Sequence, residues 1–176
     1  MGKRSDFKRV DRDFYPTPTP ALAPLVSHLP RGAVYDEPCA GAGDLVHNLG
    51  RLRPDLRLGR ASDVEPRLAG IQQMDFRDYE PSPDADLIIT NPPWDRKLLH
   101  PMIEQFAGFL PTWLLFDADW VHTKQAGPFL PMLCNIVSVG RVKWIPGSTM
   151  TGKDNCAWHC FWARYSGPTV FRGRAA

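Results

Sequence analysis

Short apolar runs alternate along this chain with stretches of helical period, and that alternation leaves few architectures open. The strand-like runs are AVYDE (33–37), LRLGRASD (56–63), AGIQQMD (69–75), ADLIIT (85–90), WLLFD (113–117), NIVSVGRVKWI (135–145) and AWHCFWARY (157–165). TPALAPLVSHL precedes the first, GDLVHNLGRL follows it, and RKLLHPMIEQFAGFL and TKQAGPFLPMLC follow the fourth and fifth. Strand–helix alternation predicts an α/β fold with a mostly parallel sheet and helices on both faces. The last two runs are joined by PGSTMTGKDNC, too short for a crossover helix, so they should pair as a C-terminal antiparallel β-hairpin. The expectation is a seven-stranded sheet whose ligands bind at the carboxyl ends of its strands.

At 176 residues the chain is expected to hold one domain, spanning 14–166, with a basic N-terminal arm (1–13) and a C-terminal tail (167–176). No apolar run nears the roughly 20 residues of a membrane span, which predicts a cytoplasmic protein with no membrane partner. Cys39, Cys134, Cys156 and Cys160 form no CxxC pair, so reduced thiols and no metal site are expected. The net charge is only +2, yet Lys3, Arg4, Lys8, Arg9 and Arg12 crowd the N-terminus, and Gly140 to Lys153 holds no acid. Basic clusters on a nearly neutral body suit a polyanion.

The first strand runs into DEPCAGAGD, where Gly41 and Gly43 allow a tight turn and close approach of a ligand to backbone. The position completing a dinucleotide GxGxxG fingerprint is Val46, and Glu37 would repel a pyrophosphate. An acid there suits a ligand with a cationic end, such as S-adenosylmethionine. Asp63 closes the second strand about 20 residues on, where an acid grips a ribose diol; a helix cap is the other use of such an Asp. Asp75 and Phe76 form a pair able to take an adenine amine and cover its ring.

The fourth strand delivers Asn91-Pro92-Pro93-Trp94. Two prolines lock the backbone and aim the Pro92 carbonyl and the Asn91 side-chain oxygen at one point. Two acceptors there would hold an –NH₂ group, and Trp94 would stack on the ring carrying it. So gripped, an exocyclic amine frees its lone pair for attack on a sulfonium methyl and afterwards sheds its proton without a dedicated base. His100 reads as a residue of the following helix. Asp117 and Trp120, after the fifth strand, either line the pocket or, for Trp120, simply pack.

These motifs resemble those of the amino-methyltransferases that modify adenine N6 or cytosine N4 in DNA. FYPTP (14–18), with Tyr15 and Thr17, is similar to their N-terminal cofactor motif, EPCAGAG, with Glu37 and Pro38, to their glycine loop, and NPPW to their catalytic tetrapeptide. The resemblance implies a Rossmann-like methyltransferase fold, S-adenosylmethionine as cofactor, and Asp63, Asp75 and Phe76 as ribose and adenine contacts. It implies methyl transfer to a nucleobase amine, with Asn at the head of the tetrapeptide more typical of adenine enzymes. Trp94 departs from the commoner Tyr. The family's hairpin loop lies near the target base, so Lys143, Ser148, Thr149 and Lys153 are expected to face nucleic acid. No target-recognition region is visible, which implies low specificity, an unpaired substrate or a partner that reads the site. RNA adenine, a protein glutamine and a catalytically idle nucleic-acid-binding subunit are the alternatives.

Overall fold

The computed structural model describes residues 15–145 and 151–174. The strands are β1 (Val34–Glu37), β2 (Arg57–Asp63), β3 (Gln72–Gln73), β4 (Leu87–Thr90), β5 (Thr112–Asp117), β6 (Leu133–Arg141), β7 (Asn155–Phe161) and β8 (Val170–Arg172). They form one sheet in the order β3-β2-β1-β4-β5-β7-β6-β8. β7 runs antiparallel to β5 and β6, and every other pairing is parallel. The hairpin is therefore as anticipated, but the sheet has eight strands rather than seven. The additional strand, β8, is a Val-Phe-Arg triplet in the stretch expected as a tail. It is too short for periodicity to reveal, and it forms because β6 offers an open edge (Asn135↔Val170, Val137↔Arg172).

Helices α1 (Thr19–Leu22) and α2 (Asp44–Leu52) bury Ala21, Leu22, Leu45 and Leu49 in one core layer, with Trp158 and Val137 of the sheet. Helix α3 (Arg96–Phe109) buries Leu99, Met102, Ile103, Phe106 and Ala107 in the other, against Ile88, Leu114 and Phe116. Asp95 caps α3 by accepting from Lys97 N at 3.0 Å. The stretch after β5 is a 3-10 helix (Lys124–Met132) rather than an α-helix, because Pro128 and Pro131 lack the N–H groups an α-helical ladder needs. β1 and β4 are fully buried, as strands covered on both faces must be.

Asp36 at the centre of β1 ties three segments together. Its Oδ2 accepts from Tyr79 Oη (2.8 Å) and Ser82 N (2.7 Å), and its Oδ1 from Ser82 Oγ (2.6 Å) and Arg60 N (2.8 Å). Gly59 is obligatory beside it, since a Cβ there would lie 2.5 Å from Asp36 Oδ1. The order of the strands reverses between β1 and β4, and the crevice between their carboxyl ends is where an open α/β sheet receives its ligand.

Candidate functional site

A cavity of about 600 Å³ opens in that crevice, within the range that holds a nucleoside-sized ligand. Its wall is built from the ends of β1, β2 and β4 and the segment preceding α1. Tyr15, Thr17, Glu37, Pro38, Gly41, Asp63, Asp75, Phe76, Asn91 and Pro93 all line it. Gly43, with φ +80°, lies just behind the lining and starts α2. Pro92 is buried, and Trp94 is half-buried between the two core layers.

The glycine loop is held from both sides. Gly41 N donates to Asp63 Oδ2 (2.8 Å), and Glu65 N donates to Asp63 Oδ1 (2.8 Å). Asp63 thus both caps its own turn and pins the loop, and each oxygen keeps a second lone pair for a ligand. Glu37 is 2% exposed, and its Oε2 has no hydrogen-bond partner among the described residues. Burial, then the carboxylates of Asp63 and Asp44, push its carboxyl well above the ordinary range, against the pull of Val46 N–H. An orphaned buried carboxyl oxygen beside a cavity fits a cationic group.

Asn91 follows β4 directly. Its Nδ2 donates to Thr17 Oγ1 (3.2 Å) and to the Tyr15 carbonyl (3.4 Å), which turns the amide and leaves the Oδ1 end as an acceptor. Asn48 holds the Thr17 carbonyl at 3.0 Å, so α2, the pre-α1 segment and the tetrapeptide are one hydrogen-bonded unit. Asp75 caps a 3-10 turn and pairs with Arg77 at 2.7 Å, and the Arg77 guanidinium lies 4.9 Å over the Phe76 ring. The acid and ring anticipated for an adenine are thus engaged by Arg77.

Outside the cavity, Trp120 packs: it is 1% exposed among Phe116, Phe129 and Phe161, with Nε1 donating to His100 Nε2 at 3.1 Å. Burial, then Arg96, lowers the proton affinity of His100, consistent with its acceptor role. Asp117 is half-buried at the end of β5, raised above the ordinary carboxylate range chiefly by burial. Lys143 and Lys153 are exposed beside the hairpin; Ser148, Thr149 and the N-terminal arm lie outside the described residues. Among the described residues no cluster of three or more His, Cys, Asp or Glu is arranged for a metal, and no helix is long and apolar enough to cross a membrane.

Sequence reasoning missed Trp144. It leaves β6 toward the hairpin loop and contacts both Trp94 and Tyr15 (ring centroids 5.9 and 6.2 Å). Its signal was only an aromatic beside Lys143, in a stretch read as strand.

No protein-family profile matches the chain, and neither does any curated protein. Solved structures do. A protein named as a putative class I S-adenosylmethionine-dependent methyltransferase, from Listeria monocytogenes, aligns at TM-score 0.57 and 13% identity, over 89% of this chain and 63% of that one. A type I restriction-modification methyltransferase subunit from Streptococcus thermophilus aligns at 0.56 and 10%, over 89% and 46%. A dimethyladenosine transferase from Plasmodium falciparum aligns at 0.53 and 12%, over 85% and 62%. The chain spans about half to two-thirds of the length of these structures. Its strand order, its crevice at the β1–β4 reversal and these alignments agree: the chain has the Rossmann-like fold of S-adenosylmethionine-dependent methyltransferases.

Proposed function

We propose that the chain is an S-adenosylmethionine-dependent methyltransferase acting on the exocyclic amine of a nucleobase, adenine N6 in DNA. The observation that carries the reading is the setting of Asn91. It stands at the cavity rim, at the end of β4, with its amide nitrogen occupied by Thr17 and Tyr15 and its oxygen left to accept. Bound in the cavity, S-adenosylmethionine would supply an electrophilic methyl on a positively charged sulfur. Glu37 would receive the cationic end of that ligand, Asp63 its ribose, and Asp75 with Phe76 its adenine, once Arg77 withdraws.

Asn91 Oδ1 and the Pro92 carbonyl would then accept both hydrogens of the target amine. That grip pulls the nitrogen from planarity and aims its lone pair at the methyl. Trp94 and Trp144 form the aromatic flank on which the base would rest. No general base is needed, because the methylated nitrogen is acidic enough to release its proton to water.

The test is transfer of labelled methyl to unmethylated DNA, RNA and peptide mixtures, followed by mass spectrometry of the nucleosides. Asn91→Ala should remove most turnover while leaving cofactor affinity within a few-fold. Undiminished transfer by Asn91→Ala would refute the mechanism. Transfer to RNA or to a glutamine side chain would replace the DNA assignment, and cofactor binding without any transfer would mark an idle subunit.

A further inference from the structure

The charge of this chain is divided along the sheet. Of its 19 acidic residues only Asp154 lies beyond Asp119, whereas seven of the Lys and Arg residues do. The antiparallel half, β6 to β8, is therefore cationic, while the acids gather around the cavity and the parallel half. On β6 and just beyond it, Arg141 and Lys143 are exposed; on and after β8, so are Arg172 and Arg174. None of the four forms an ion pair among the described residues.

These cations are placed, not merely present. Arg172 is held in the ladder opposite Val137 in the middle of β6, below the rim, where burial and then its charge lower the proton affinity of His28. Arg174 lies across Gly140, where a Cβ would stand 2.9 Å from its Nη1 and 3.2 Å from its Cδ and Cζ. Gly140 has φ +84° and sits at a break in the β6–β7 register, so the backbone there is both kinked and bare. Gly140 pairs with Cys156, and Cys156 with Asp117, the last residue of β5. Arg174 therefore stands at the carboxyl rim of the sheet, level with the mouth of the cavity. From β4 to β8 is four strand spacings, about 19 Å. Trp144, which touches Trp94, occupies the rim between them.

We infer that the rim carrying Lys143, Arg141 and Arg174 binds the phosphate backbone of a single DNA strand beside the target nucleotide, with the end of β8 as its outer clamp. The inference rests on the nucleobase reading above. A cationic track leading to aromatic side chains on which bases can stack is the arrangement that binds single strands irrespective of sequence. Arginines fixed by a strand and a bare glycine lose less side-chain freedom on meeting phosphate than free ones would.

The test is fluorescence anisotropy of a labelled adenine-containing single-stranded DNA over a salt series, with the wild type and Arg141→Gln/Arg174→Gln. Two lost phosphate contacts should lower the slope of log K against log salt by about 1.4 and weaken binding roughly 10-fold at low salt. S-adenosylmethionine affinity should stay unchanged, and the double Lys variant should restore most of the slope. Arg174→Gln alone, past the end of β8, gives half the effect if the double variant misfolds. Wild-type slope and affinity in the Gln variants, with methyl transfer to DNA intact in the wild type, would overturn the clamp and leave the nucleobase reading standing. A wild type that binds S-adenosylmethionine but no DNA strand would end both the clamp and the DNA assignment.

Discussion

Trp144 meets Trp94 edge to face, with ring centroids 5.9 Å apart and planes at 84°. The two indoles come from distant parts of the chain, one after β6 and one from the tetrapeptide, and the Tyr15 ring lies 6.2 Å from that of Trp144. The hairpin thereby braces the segment that carries Asn91. Trp144→Ala should lower kcat severalfold, since such an aromatic pair contributes about 0.5–1.5 kcal/mol, and Trp144→Phe should recover part of it. The cofactor Kd should change less than kcat. Equal loss in both would mean that Trp144 only supports the cavity wall.

Glu37 should couple cofactor binding to protons. Its carboxyl, raised well above the ordinary 4.5 by burial and by the Asp63 and Asp44 carboxylates, would give up its proton to meet a cationic ligand. Binding should then release up to one proton, measurable by calorimetry in buffers of different ionisation enthalpy, and affinity should rise with pH. For stability the sign is opposite. The folded state holds the proton more tightly, so stability falls as pH climbs from 4.5 toward the raised value. Glu37→Gln should abolish both dependences.

Asp63→Ala should weaken cofactor binding roughly 10- to 150-fold, the worth of one charge-assisted hydrogen bond of about 1.5–3 kcal/mol. It also frees the Gly41 amide, so slower loop exchange in the wild type than in the variant is expected by hydrogen exchange. Normal cofactor affinity in the variant would remove Asp63 from the ribose site.

Arg77→Ala should tighten cofactor binding a few-fold by clearing the Asp75 carboxylate and the Phe76 face. Weaker binding would show that the guanidinium helps to hold the ligand instead.

His159 is wholly buried in β7, stacked on Phe116 at 4.0 Å, and neither ring nitrogen has a hydrogen-bond partner among the described residues. Burial lowers its pKa to about 3, opposed in part by the nearby backbone of Leu114 and Ala157. The folded state therefore binds fewer protons than the unfolded one, and stability is lost as pH falls from 6.5 to about 3. His159→Phe keeps the stacked shape and removes the desolvated nitrogens. It should raise stability by about 1 kcal/mol at neutral pH and more under acid, read by urea unfolding. The contrasting change, Asp36→Asn, should cost about 3 kcal/mol, because four donors converge on that buried carboxylate.

What the sequence determined by itself were features written in neighbouring residues. Apolar runs of strand length set the order of the elements, Gly41 and Gly43 marked the turn after β1, and the Asn91–Trp94 tetrapeptide marked the end of β4. Each is local chemistry: a period, a permitted φ, a locked backbone. The tertiary structure alone decided which distant groups share a space. It added β8 on the free edge of β6, set Trp144 against Trp94, gave Asp36 its donors from β2 and the loop after Tyr79, and laid Arg174 over Gly140. Contacts across tens of residues arise from how the sheet's edges and faces are closed, and no periodicity in the chain encodes that closure.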